Sequence, residues 1–148
     1  MININEITAN FYIVGCAIRA MDVQNNIISL TGNEQMELNI GVEPAYHGIE
    51  GSNHSGSIRM QIDTFAKKND DKSKNAEIKI IIEGFFRAGS DMEEEQFKQM
   101  VAVNGAAALY SIARGKIESI TSNVFAKGKI DIPFVNFIDY YEHADNNS

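Results

Sequence analysis

Cysteine occurs once in this 148-residue sequence, proline twice and tryptophan not at all. The lone thiol, Cys16, excludes an internal disulfide and a cysteine-based zinc site. It lies in an apolar stretch, where a buried, inert thiol is the expected state. No apolar run approaches the roughly 18 residues that a membrane span requires. The N-terminus, Met1-Ile2-Asn3-Ile4-Asn5-Glu6, lacks the basic start and apolar centre of a secretory signal. The expected location is therefore the cytoplasm. Basic residues are also scarce, with 13 Lys and Arg against 20 Asp and Glu, a net charge of −7. Nucleic acid and anionic lipid both select basic surfaces, so neither nucleic-acid binding nor membrane insertion is expected. The acidity reads as solubility.

Recognisable chemistry is missing as well. His47 and His54 fall in a glycine-rich stretch and His143 in the tail, scattered as surface histidines rather than grouped as metal ligands. Gly51-Ser52-Asn53-His54-Ser55-Gly56 does not have the spacing of a nucleophile elbow. Gly128-Lys129 lacks the flanking glycine and hydroxyl of a phosphate loop. No catalytic residue, metal or cofactor is expected, and the protein reads as one that works by binding other proteins.

What is present is an ordinary globular balance, 44% hydrophobic and 22% charged, in one domain-sized chain covering 1–148. The first half reads as strands, spanning about 5–88. Ile7 to Met21 is rich in β-formers, broken after by Gln24-Asn25-Asn26 and Thr31-Gly32-Asn33. Gln35 to Val42 alternates strictly, and Pro44 to Ser55 reads as a loop. Further alternating runs follow at Ile58, Met60, Ile62 and at Ile78, Ile80, Ile82, with Gly84 a candidate bulge. The charged stretch Lys67 to Asn75 is a hairpin tip, which makes those runs antiparallel.

In the second half the period changes, with helices expected over about 91–142. Ser90 and Glu93 fit a capping box, and the acidic run after Asp91 suits a helix start. Asn104-Gly105 should interrupt that helix before a longer one from about Ala106 to Asn123, with Gly128 as its stop. Leu109, Ala113, Ile117, Ile120 and Val124 form its apolar stripe. Opposite them lie only small residues, Ala108, Ser111, Gly115, Ser119 and Ser122. A mid-helix glycine costs about 1 kcal/mol against alanine, so that side either packs on another backbone or is a solvated, serine-rich face. Beyond it come an extended segment around Pro133, a dense set of aromatics, and a frayed polar tail from Glu142.

Glu83-Gly84-Phe85-Phe86, Glu95-Gln96, Gly105, Leu109-Tyr110-Ser111-Ile112-Ala113-Arg114 and Ile132-Pro133-Phe134-Val135-Asn136-Phe137 together resemble the SecB export-chaperone family, over about residues 76 to 142. Gly115, where the family carries an acidic residue, and Ala126-Lys127-Gly128-Lys129 depart from its pattern and mark a divergent member. The resemblance implies an α+β fold, a four-stranded antiparallel sheet with two or three C-terminal helices packed on one side. It also implies a homo-oligomer, a dimer of dimers, with the long helices packed between subunits. The interface would then use Ala108, Ser111, Gly115 and Ser119, with Ile78, Ile80 and Ile82 of the fourth strand.

The function so implied is an ATP-independent holdase for unfolded or precursor polypeptides, in protein export. The alternative is a dedicated partner protein serving one client, such as an antitoxin, without a general export role. An enzyme grafted on the same fold is a third reading, which fold alone never excludes. Exposed apolar surface for clients is expected from Phe85, Phe86, Phe134, Phe137, Tyr140 and Tyr141, with Met60 and Met100 beside them. A SecA motor partner would meet an acidic sheet face at Glu77 and Glu83. Lys79 between them predicts that SecA binding is weak or absent.

Overall fold

Side-chain alternation assembles the sheet. In β3 (Asn53–Lys67) and β4 (Asn75–Gly89), Ile58, Met60 and Ile62 and then Ile78, Ile80 and Ile82 are completely or almost completely buried. β1 (Phe11–Asn25) and β2 (Gln35–Glu50) complete a four-stranded sheet in the order β1-β4-β3-β2, every neighbour antiparallel. The computed structural model describes residues 1–3 and 10–147, so Ile7, where the first strand was expected to start, lies outside the described residues. Slipping β4 by one residue would exchange its isoleucine row for Glu77, Lys79 and Glu83, so register is fixed by burial.

The stretch from Pro44 to Ser55 is not a loop. β2 continues to Glu50, a two-residue turn at Gly51 and Ser52 reverses the chain, and β3 begins at Asn53. Gly51, at φ 64°, takes the first corner of that hairpin, a position that favours glycine. Pro44 is tolerated because β2 lies at the sheet edge. A register shift between Tyr46 and Gly48 puts a bulge in this part of β2. Gly84 is not a bulge. The shifts on that side lie in β1, at Ile13/Gly15 and Ile18/Ala20. Gly84 instead permits close approach, since a Cβ there would lie 3.0 Å from Leu109 Cδ1.

One helical rod crosses the inner face of the sheet. It comprises α1 (Glu94–Met100), a five-residue π-helical segment (Val101–Gly105) and α2 (Ala106–Val124). The N-cap is Glu93, with no side-chain cap, so the expected Ser90–Glu93 box does not form; Ser90 to Met92 turn against Ser52 and Gly89 instead. Glu94 and Glu95 do occupy the first turn, where negative charge is favourable. Asn104-Gly105 widens the helix without breaking it. Gly105 keeps helical angles because it is pressed on Phe86, whose ring would stand 3.2 Å from an added Cβ.

Phe97, Val101, Leu109, Ala113 and Ile117 bury the inner side of the rod. Buried Tyr110, Ala106 and Thr121 widen the expected stripe, and Ile120 and Val124 are only half-buried. α2 ends at Phe125, which turns to extended backbone, three residues before Gly128. Gly128 has φ 90° and lies against Leu30, within the 125–130 stretch that bonds back to 28–30 through Ala126 N to Ile28 O and Leu30 N to Lys127 O. Thr121 Oγ1 accepts the Ile130 amide, Arg114 Nε donates to Ile132 O and the Tyr110 hydroxyl donates to Pro133 O, which fastens the segment to α2. Asn136 then caps α3 (Phe137–Asn146), whose regular turns run through the stretch expected to fray.

The β1–β2 connection is held by Glu34. Its side chain is 4% exposed, and its carboxylate accepts the amides of Thr31 at 2.6 Å and Gly32 at 2.9 Å and the Lys68 ammonium at 2.7 Å. Burial works against ionisation, but these donors outweigh it and hold the Glu34 carboxyl down at about 2. A depressed carboxyl adds stability that is present at neutral pH and lost as pH falls below the ordinary value. Glu34→Gln should therefore lower stability at pH 7 by about 1 kcal/mol, allowing for solvent screening. Urea melts should show this gap closing as pH falls from about 4.5 towards about 2; a gap independent of pH would contradict the assignment.

Candidate functional site

Phe97 organises the site. Its buried ring stacks on His54 at 5.2 Å and meets Tyr46 and Phe11 edge-on at 5.8 and 6.0 Å. His54 is not a surface histidine: it is 2% exposed on β3. Its Nε2 lies 2.6 Å from the Met92 carbonyl, an acceptor, so Nε2 donates and Nδ1 accepts the Tyr46 hydroxyl at 2.9 Å. The neutral tautomer thus satisfies both nitrogens, and the ring serves as packing.

Above this aromatic floor, β2 and the rod leave an apolar cavity of about 370 Å³. Pro44, Ala45 and Tyr46 form one wall; Phe97, Val101 and Ala102 form the other. The π-helical segment sets the second wall, because its wider turn presents Val101 and Ala102 here and Val103 and Asn104 to the opposite side. Lys98 stands at the mouth, its Nζ 5.0 Å above the Tyr46 ring and 3.0 Å from the Glu94 carboxylate, which raises the lysine pKa. A smaller hollow of about 150 Å³ opens further along β2, among Met36, Leu38, Thr64, Ile132 and Pro133. Thr64 is 1% exposed and its hydroxyl has no hydrogen-bond partner among the described residues. Between the two hollows, Tyr140 of α3 accepts the Val42 amide on its hydroxyl at 3.1 Å. A third concavity, about 610 Å³ between the rod and α3, has a mixed lining in which Gln96, Gln99, Asn104 and Glu142 alternate with Met100, Val103, Ile138 and Tyr141.

The structure separates the residues expected to bind clients. Phe86 and Phe137 are core, 1% and 3% exposed, Phe86 stacked on Phe11 and Phe137 edge-on to Tyr110. Neither supplies binding surface, because the rod and α3 have to be seated on something. Met60 is likewise buried, and Met100 is half-buried. Phe134 is 86% exposed, one ring face covered by the Arg114 guanidinium at 4.0 Å. Tyr140 and Tyr141 are half-buried, Tyr140 against Val42 on the groove and Tyr141 in the concavity between the rod and α3. The Tyr141 hydroxyl has no hydrogen-bond partner among the described residues, and burial pushes its pKa up to about 12. Phe85 points to the opposite face of the sheet, in a hollow of about 330 Å³ with Val14, His47 and Arg87.

Ile78, Ile80 and Ile82 are covered by the chain's own helices and have no surface left for a subunit contact. Ala108, Ser111, Gly115 and Ser119 are all exposed, and a Cβ at Gly115 would meet nothing within 4 Å. Glu77 and Glu83 lie on the outer face, each beside a cation: Lys79 at 2.8 Å and Arg59 at 3.8 Å. Sequence reasoning missed Tyr46, Phe97, Val101 and Ala102, the residues that form the groove. Their signals were Pro44 and Tyr46 within a stretch that reads as loop, and Gly105 inside the continuous helical rod. Among the described residues no group of three or more His, Cys, Asp or Glu is placed to hold a metal, and no helix is long and apolar enough to cross a membrane.

The chain matches no protein-family model and no curated protein. It is similar in structure to a SecB-like chaperone of Mycobacterium tuberculosis solved in complex with a ChAD peptide from the HigA1 antitoxin. The TM-score is 0.58, the identity 13%, and the match covers 86% of this chain and 91% of that one. The chain has the SecB-like fold, the antiparallel sheet with helices on one side that its sequence resembled.

Proposed function

We propose that the chain is a non-enzymatic, ATP-independent chaperone that holds extended, non-native polypeptide in the groove along β2. The observation that carries this reading is the apolar cavity bounded by Pro44, Ala45, Tyr46, Phe97, Val101 and Ala102. Apolar hollows on a soluble acidic body favour chain segments that themselves carry unburied side chains. Each Å² of apolar area removed from water contributes about 25 cal/mol, and ordering a flexible client offsets much of it. Several contacts must therefore act together, and in this proposal Phe134 and Tyr140 extend the hollow into a longer surface. The bound peptide in the mycobacterial neighbour supports polypeptide as the ligand class, and its antitoxin source favours a dedicated client over general export.

Two further parts belong to the same proposal. The exposed small-residue face of α2 packs against another copy, in a dimer of dimers, without help from the buried isoleucines of β4. Binding to the SecA tail is weak or absent, because Glu77 and Glu83 are already matched by Lys79 and Arg59. Low-micromolar binding in a calorimetric titration, lost on Glu77→Lys, would contradict that. Gly115→Arg places a long cation on the proposed contact while facing open space within its own subunit. Light scattering should show a smaller assembly with unchanged circular dichroism; a wild type that is monomeric at micromolar concentration would dispose of the interface.

The holding activity is checked by aggregation of chemically unfolded proteins without nucleotide. At near-stoichiometric ratio the wild type should slow aggregation, and Ala102→Glu, which sets a charge in the apolar wall, should lose most of that effect. Phe134→Ser should weaken it while leaving stability within about 0.5 kcal/mol, as expected for an exposed position. Protection of one client and no other supports the dedicated reading, whereas no protection of any client, including the chain's own genomic neighbours, removes both.

A further inference from the structure

The hydrogen bond from the Val42 amide to Tyr140 fixes which way the edge of β2 faces. A strand amide points either to its paired neighbour or away, in alternation. Val42 bonds a phenol on α3, so it points away from β3, and the Val42–Met60 position is a non-hydrogen-bonded pair of the ladder. Met36, Leu38 and Ile40 share that parity, so their amides also face outward. Among the described residues, no backbone hydrogen bond from outside the sheet reaches them. Pro44 has the same parity, which places its missing N–H where an open edge would otherwise offer one more donor.

The two sheet edges are not equivalent. β1 carries two register shifts along its pairing with β4, and such bulges twist an edge away from strand addition. β2 pairs with β3 without a shift from Gln35 to Tyr46, a regular edge of twelve residues. The inward side chains of that run open into the two hollows, at Met36 and Leu38 and again at Pro44 and Tyr46. An extended chain laid beside β2 therefore has backbone partners at its edge and a hollow at each end. The hollows lie about eight residues apart, or roughly 27 Å of strand.

We infer that the client segment joins the sheet as a fifth strand on β2, and that the Tyr140 hydroxyl is a latch occupying the amide this strand takes over. The inference rests on the groove reading and specifies its geometry. Backbone bonds to Met36, Leu38, Ile40 and Val42 give affinity without sequence preference, and alternate side chains of the client enter the hollows. Opening requires the Tyr140 hydroxyl to release Val42, one hydrogen bond of 3.1 Å, and Ile138 and Asp139 next to it are exposed. Thr64, whose buried hydroxyl lines the hollow at the Leu38 end, offers that segment one polar contact.

The probe is a synthetic ten-residue peptide alternating Val or Phe with Thr, with a lysine at each end, and two versions N-methylated on one or the other alternate set of residues. Binding is followed by fluorescence anisotropy and by amide hydrogen exchange of the full chain. Strand addition predicts that the unmethylated peptide slows exchange at Met36, Leu38 and Ile40 at least tenfold. One methylated set should abolish binding and the other leave it within twofold. Tyr140→Phe, which frees the Val42 amide and keeps the ring, should tighten the unmethylated peptide roughly two- to tenfold. Equal binding of all three peptides without added protection overturns strand addition and leaves the groove reading intact. Binding of none overturns both. Protection of the same amides that appears without peptide and grows with protein concentration assigns the edge to a second copy and overturns the inference.

Discussion

A helix with its side chains is roughly 10 Å across, whereas four strands spaced about 4.8 Å apart make a sheet close to twice that width. One rod cannot cover this sheet, and the rest of the structure follows from where the shortfall falls. β3 and β4, in the middle, have their inward side chains fully buried under the rod; those of β1 and β2 are half-buried at best. Gly84 and Gly105 let the rod sit low, and Phe86 and Phe97 fill the space beneath it. The depth of that seating is what turns the margin beside β2 into a walled groove.

The C-terminal third partly fills the shortfall. Segment 125–136 is tied to α2 at Thr121, Arg114 and Tyr110, and α3 then lays Tyr140 across the edge of β2. These polar ties add to apolar packing, since Phe125, Ile130, Ile132 and Phe137 are buried in the same core as the isoleucine rows. Past Phe137, none of the described residues of α3 is fully buried, so the turn that carries Tyr140 over the groove is held by fewer apolar contacts than the segment before it.

Strand and helix periodicity made the order of elements legible, because burial writes period two into β3 and β4 and a four-residue repeat, Leu109, Ala113, Ile117 and Thr121, into α2. The extent of β2 was not legible. An edge strand tolerates Pro44 and glycine, so its composition there is that of a loop. The helix start at Glu94 and the unbroken turn at Gly105 were also missed, since both depend on contacts with Ser52 and Phe86, far away in sequence. For the same reason the aromatic set divided differently from its expectation. Phe85 and Phe86 are adjacent in sequence, yet strand alternation sends one to each face. Phe134 and Phe137 are three apart, but the first precedes the Asn136 cap and the second begins the helix that buries it. The groove itself joins β2 to the π-helical segment, a juxtaposition that no local pattern records.

The central claim is that polypeptide is held on the inner margin of the sheet rather than on its outer face or on the exposed face of α2. Photo-crosslinking from a benzophenone side chain placed singly at Ala102, Phe85 or Ser119, in the presence of a chemically unfolded client, separates these directly. Crosslinks from position 102 that exceed those from 85 and 119 several-fold are the predicted result. Crosslinks from 85 or 119 with none from 102 would contradict it.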